Sequence, residues 1–223
     1  MQPPILITGA ARSGTSMTAG IVNICGAFGG VMSGPNQNNQ KGMFENSAIR
    51  QNIVKPYLKG IGCDPLGQKP LPSNRQMFEA TQEQAARWKE RVEAVMKAEG
   101  YKEGPWFYKG AKSCLYWYLW HLAYPEAKWI VVRRDANDIA RSCMRTSFMR
   151  AYRDVIGWLR WVEEHEKRFH QMHVAGLQIR EVWPKKMIDG DFEEMKSAIE
   201  WLGLAWNENM IRAFVDPALY GRK

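Results

Sequence analysis

The 223-residue chain has no uninterrupted apolar run approaching the ~20 residues that a membrane-spanning helix needs. No span is expected. It has only four cysteines, Cys25, Cys63, Cys114 and Cys143, with no CxxC spacing among them. That spacing argues against metal and disulfide motifs and leaves reduced packing residues. Histidine is equally sparse, at four residues. His121 falls in an aromatic segment and reads as a hydrogen-bonded core residue. His170 and His173 have the spacing of a metal pair, but no Cys or carboxylate stands suitably near, so they read as an exposed helix face. Acidic residues are in deficit: 23 Asp and Glu against 31 Lys and Arg give a net charge of +8. The excess calls for an anionic partner, whether nucleic acid, phosphorylated cofactor or acidic glycan, without choosing among them. Neither a basic n-region nor a cleavable apolar segment precedes Ile5, so the expected location is the cytoplasm.

What the chain does contain is an alternation of strand-like and helical segments. A short β-rich run begins at Ile5 and ends in small residues, and Met17, Ile21, Ile24, Cys25 and Phe28 then recur at helical spacing. Residues 29–46 are rich in Gly and Asn and read as a loop. Asn46 or Ser47 caps a helix that runs to Lys59. A second loop, 62–74, precedes a long charged helix from about Arg75 to Ala98, capped by Ser73 or Asn74. Trp106 to Tyr108 reads as a strand with Lys109 at its end, followed by an aromatic helix that stops near Pro125. Trp129 to Val132 is continuously apolar, as a buried parallel strand should be, and Asp135 or Asn137 opens the next helix. A helix over Tyr152 to Val174, a last strand in "LQIREVW", and a helix capped by Asp191 and stopped by Gly203 follow. The expected fold is α/β: a three-layer α/β/α sandwich around a mostly parallel sheet of the P-loop type, with residues 1–223 forming one domain. Trp88, Trp117, Trp158, Trp161 and Trp201 lie on these periodic stripes and read as core.

Parallel sheets bind ligands at the carboxyl ends of their strands. Three basic or amide-rich segments follow strands directly: Gly9 to Ser16, Lys109, and Arg133 with Arg134. The first has the spacing of a phosphate-cradling P-loop, whose amides and helix dipole converge on an anion. Thr15, however, occupies the position of the Walker lysine, and Arg12 sits inside the loop instead. No acidic strand-end partner for magnesium is evident, because "WIVV" runs straight into Arg133 and Arg134. A Mg-ATP-dependent small-molecule kinase is therefore an alternative that lacks its carboxylate. A non-catalytic nucleic-acid-binding protein, the other alternative, would scatter its basic residues over exposed surfaces. Clustering at strand ends argues against nucleic acid as partner.

Two stretches resemble the cofactor signatures of sulfotransferases that use 3′-phosphoadenosine 5′-phosphosulfate (PAPS). "GAARSGTSM" is similar to the family's loop for the 5′-phosphosulfate. "KWIVVRRDANDIARSCMR" resembles its 3′-phosphate motif, in which a strand-end arginine is followed eight residues later by a helical serine, here Arg134 and Ser142. "KGMFEN" and "WLGLAWNE" resemble segments common in bacterial members. The resemblance implies metal-free transfer of a sulfuryl group from PAPS to an acceptor hydroxyl or amine, leaving 3′-phosphoadenosine 5′-phosphate. It implies Arg12, Ser13, Gly14, Thr15 and Ser16 around the 5′-phosphosulfate, Arg134 and Ser142 at the 3′-phosphate, and Lys109 near the bridging oxygen, with Lys112 a lesser candidate. Cations and amides of this kind can disperse the developing charge without a divalent ion. Cytosolic members carry a histidine base after the second strand, but this chain has Lys109-Gly110-Ala111-Lys112 there. Glu45 matches the glutamate of other branches and is expected to be the general base. The acceptor is expected to be a small molecule or glycan chosen by the loops 29–46 and 62–74, with Lys41, Lys69 and Arg75 favouring an acidic one.

Overall fold

In the computed structural model, which describes residues 1–37 and 39–219, four short strands pair in parallel. They are β1 (Ile5–Gly9), β2 (Phe107–Lys109), β3 (Lys128–Val132) and β4 (Gln178–Val182), in the spatial order β2-β1-β3-β4. Ile5 is in register with both Phe107 and Lys128, and Lys128 with Gln178. The period-2 alternation of β1, β2 and β3 sends their side chains to two covered faces, while β4 at the sheet edge leaves Gln178 and Arg180 exposed. Leu6, Tyr108, Trp129 and Val131 enter one core, while Ile5, Ile7, Phe107, Ile130, Val132 and Val182 enter the other.

The second of these faces is covered by α1 (Thr15–Ile24), α8 (Pro184–Ile188), α9 (Glu193–Leu202) and α10 (Glu208–Phe214). The first is covered by a π-helical stretch, Ile49–Val54, running into α2 (Lys55–Gly60), and by α3 (Asn74–Phe78), α4 (Gln82–Ala98) and α5 (Trp117–Ala123). A third cluster joins α6 (Ala136–Met144) to α7 (Val155–Val174) through Ile139, Cys143, Trp158 and Trp161. The result is the three-layer sandwich expected from the sequence. With this strand order the winding reverses beside β1, which opens a crevice at the carboxyl ends of β1 and β3.

Local chemistry explains where the elements depart from expectation. The single helix expected over 75–98 is two helices, because Thr81 and Gln84 build a second capping box after the first one, Ser73 with Gln76. α7 starts at Val155, where the Asp154 carboxylate accepts the Gly157 N–H at 2.6 Å. Asp191 accepts from Glu193 N at 3.0 Å but does not occupy the cap position, which falls to Phe192. The short helices α8 and α10 had no strong apolar period to announce them. The four cysteines are free and buried. His121 is a partly exposed residue against the edge of Trp117, and not a core one. His170 and His173 are exposed as expected, yet His173 does find a carboxylate, Glu181 on β4, at 3.1 Å. Among the described residues no helix is long and apolar enough to cross a membrane.

Candidate active site

β1 ends in the loop that carries the phosphate-like spacing. Gly14 occupies the N-cap of α1 at φ +105°, a left-handed conformation in which a side chain is strained, and an added Cβ would stand 2.9 Å from Pro184 Cγ. No side chain caps the helix and no acidic residue lies in its first turn. The first-turn amides therefore face the cavity with the positive end of the helix dipole and no internal anion. Arg12 adopts φ +73°, unusual for a residue with a Cβ. Two hydrogen bonds hold the loop in this form: Ser13 N–H donates to Ala10 O at 3.1 Å, and Arg134 Nη1 donates to Arg12 O at 3.0 Å.

Arg12 is the meeting point of the two sequence motifs. Its Nε donates to Ser142 Oγ at 3.1 Å across 130 residues. Asp135 makes this possible by capping α6, accepting from Asp138 N at 3.0 Å, so that Ser142 comes round to the same side as the strand-end Arg134. Burial lowers the proton affinity of the Arg12 guanidinium; the Cys143 thiol acts in the opposite sense, and the like charges of Arg134 and Arg145 lower it further. Such crowding of cations is relieved by a bound anion. Arg133, adjacent in sequence, does not join them. It turns away to pair with Glu166 at 2.5 Å and Glu181 at 2.6 Å.

The other wall is built from the segment before the π-helix and from the end of β2. Residues 43–46 fold back on 31–33, with Met43 N bonded to Ser33 O at 3.0 Å and Ser33 N to Glu45 O at 2.9 Å. Asn46 is the cap: its Oδ1 accepts Ile49 N at 2.9 Å. Glu45 is thereby buried, 3.9 Å from Lys109 Nζ, and accepts the Tyr108 hydroxyl at 3.4 Å. Lys109, the last residue of β2, is 3% exposed. Burial lowers its proton affinity, Glu45 opposes that, and Lys112, Arg50 and Arg12 add to the lowering. Thr8 ties the following segment to β1, donating to Ala111 O and accepting from Cys114 N.

A cavity of about 710 Å³ connects both walls, within the range of small-molecule sites. Arg12, Gly14, Thr15, Ser16, Glu45, Lys109, Arg134 and Ser142 all line it. Ser13 does not. Its side chain is fully buried behind the loop and its hydroxyl has no partner among the described residues. Lys41 also reaches the cavity and bonds Phe214 O at 2.5 Å, but Lys69 lies over the Tyr152 ring and Arg75 pairs with Glu79 on the surface. Sequence reading missed three wall residues. No motif or spacing sets Arg50 and Arg145 apart from other helical charges, and His165 falls at the apolar helical spacing of Trp158, Trp161, Val162 and Phe169. His165 is buried, its Nδ1 is 2.8 Å from Trp161 O, and burial pulls its pKa down to about 4, so it is neutral at pH 7. Among the described lining residues seven Lys and Arg (12, 41, 50, 109, 112, 134, 145) face two carboxylates, Glu45 and Asp216. The cavity is made for anions.

Comparison with known proteins agrees with this chemistry. A family model described as "Sulfotransferase family" matches residues 3–208. No curated protein matches the chain. Among solved structures, the sulfotransferase domain of the Synechococcus PCC 7002 olefin synthase is similar in fold, with a TM-score of 0.54 at 14% identity over 98% of this chain and 86% of that one. Sulfotransferase STF1 of Mycobacterium tuberculosis H37Rv aligns at a TM-score of 0.48 and 14% identity over 100% of this chain and 74% of that one.

Proposed function

The chain belongs to the sulfotransferase family and is a sulfuryl-transferring enzyme; from that premise we propose that its donor is PAPS and its nucleotide product 3′-phosphoadenosine 5′-phosphate. The observation that carries this reading is the mutual engagement of Arg12, Arg134 and Ser142 beside an uncapped helix N-terminus. Two anionic groups on one adenosine ask for two cationic subsites, and the crowded guanidinium groups at the β1 and β3 ends fit them. When bound, PAPS supplies an activated sulfuryl group joined to a phosphate that departs without it.

The residues then divide by position. The α1 amides, the Thr15 and Ser16 hydroxyls, Gly14 and the Arg12 guanidinium hold the 5′-phosphosulfate, with Ser13 shaping the loop from behind. Arg134 and Ser142 hold the 3′-phosphate. Glu45 accepts the proton that the acceptor hydroxyl or amine gives up. Lys109 and Arg12 stabilise the oxygens on which charge develops, a role worth roughly 10²–10³ in rate per donor. With so many fixed cations around the site, charge is dispersed by the chain's own side chains and no metal ion is required. The whole chain, 1–223, acts as one such domain, a reading supported by the family match over 3–208. The acceptor is a small molecule or glycan and not nucleic acid. Four free buried thiols support a cytoplasmic location.

Calorimetric titration with 3′-phosphoadenosine 5′-phosphate, ADP and ATP, each with and without Mg²⁺, tests the reading. Tight, metal-independent binding of the bisphosphate is expected. Preference for Mg-ATP would overturn it.

A further inference from the structure

The β2 side of the cavity holds more positive charge than the donor requires. Arg50 and Lys112 both line it, and no described carboxylate lies within ion-pair distance of either. Arg50 Nε is buried without a hydrogen-bond partner among the described residues. Glu45, which lines the same cavity, is already engaged by Lys109 at 3.9 Å and by the Tyr108 hydroxyl. Both cations act electrostatically on Lys109, and Arg50 also acts on Lys112; Glu45 is the acid that acts on both lysines, with Asp64 a lesser influence on Lys112, so the three form one group around Glu45.

Both side chains are directed there by the backbone. Arg50 sits on the π-helical stretch Ile49–Val54, whose Ile49, Ile53 and Val54 are fully or almost fully buried in the core behind it. Wide turns of this kind are uncommon and recur at functional sites. Lys112 passes over Gly67, where a Cβ would stand 3.0 Å from Lys112 Cβ and 3.4 Å from its Cδ. Gly67 is pinned there by Trp161 Nε1, which donates to its carbonyl at 2.9 Å. The loop thus offers bare backbone where the lysine stem has to pass.

Position separates this group from the donor residues. The Arg134 strand end belongs to β3 and the Arg12 loop to β1, whereas Lys109 closes β2 and Lys112 follows it. At ~4.8 Å between neighbouring strands, β2 and β3 lie on the order of 10 Å apart. The two anionic ends of the donor are already matched at β1 and β3. Resting on the function proposed above, we infer that Arg50 and Lys112 form a further anion subsite beside Glu45, which selects acceptors carrying an acidic group (carboxylate, sulfate or phosphate) next to the hydroxyl that is sulfated.

The test compares matched probes that differ chiefly in one charged group: 4-hydroxyphenylacetate against 4-hydroxyphenylacetamide, and methyl glucuronoside against methyl glucoside. Each is titrated into the intact protein with and without 3′-phosphoadenosine 5′-phosphate. The acidic member of at least one pair is expected to bind roughly tenfold to a hundredfold more tightly than its neutral twin. Arg50→Gln and Lys112→Met should each erase most of that difference, Arg50→Lys should keep part of it, and bisphosphate affinity should stay within about twofold. Equal binding within both pairs, or no binding of any probe, overturns the inference. Loss of bisphosphate affinity in Arg50→Gln overturns it too, by assigning the guanidinium to the donor. If the unmodified protein does not bind the bisphosphate, the donor assignment fails instead, and the acid-against-neutral comparison is read from the titrations without nucleotide.

Discussion

Replacing Arg134 by alanine removes a side chain that holds the Arg12 loop and to which we assign the 3′-phosphate. Its Nη1 donates to Arg12 O at 3.0 Å, and the side chain is only 9% exposed. A hydrogen bond from a charged donor contributes about 1.5–3 kcal/mol, and the low exposure leaves little solvent screening to reduce it. Loss of the proposed 3′-phosphate contact alone should therefore weaken 3′-phosphoadenosine 5′-phosphate binding by roughly 10- to 150-fold. The loop bond to Arg12, which adopts φ +73°, adds a smaller general loss shared by every nucleotide. The two effects separate when the bisphosphate is compared with AMP, which lacks the 3′-phosphate. In calorimetry the native protein should prefer the bisphosphate strongly, and in Arg134→Ala that preference should shrink while AMP affinity falls only modestly. An unchanged ratio between the two nucleotides would refute the assignment of Arg134 to the 3′-phosphate.

Glu45→Gln should lower kcat by about 10²–10⁴ while bisphosphate affinity holds; an equal fall in both would make Glu45 a structural residue. Gly14→Ala places a Cβ 2.9 Å from Pro184 Cγ at φ +105°, so both the melting temperature and nucleotide binding should drop, and an unaffected variant would refute the cradle geometry. Ser13→Ala deletes a buried hydroxyl that has no partner among the described residues, so the melting temperature should hold or rise by up to ~3 °C; a clear fall by calorimetry would contradict that reading. His165 has a folded pKa of about 4, depressed by burial from 6.5. The unfolded chain therefore binds the extra proton first, and stability falls as pH drops from about 6.5 towards 4, by on the order of 3 kcal/mol in all. Urea unfolding at pH 7 and pH 4.5 should show a flatter acid limb in His165→Gln.

Much of this molecule is legible in its sequence because the signals are local. Continuous apolar runs at Ile5 and Trp129, the caps at Ser73 and Asp135, and the glycine loop that opens into a helix were all readable without coordinates. The family resemblance named Arg134 and Ser142 together, and both line the same cavity. The family follows from those same residues. Local signals also misled where two caps competed within one charged stretch: Thr81 ended what periodicity alone would continue.

Only the tertiary structure decided which cations share a space. Arg133 and Arg134 are neighbours in the chain, yet the strand's alternation sends one to Glu166 and Glu181 and the other to the cavity. Arg50, Lys112 and His165 come from three distant segments, and no spacing rule links them. Their convergence depends on the order β2-β1-β3-β4, on a π-helical turn and on the path of the 62–74 loop. Each of these is fixed by packing between layers, a long-range balance of buried area against geometry that a run of neighbouring residues does not encode.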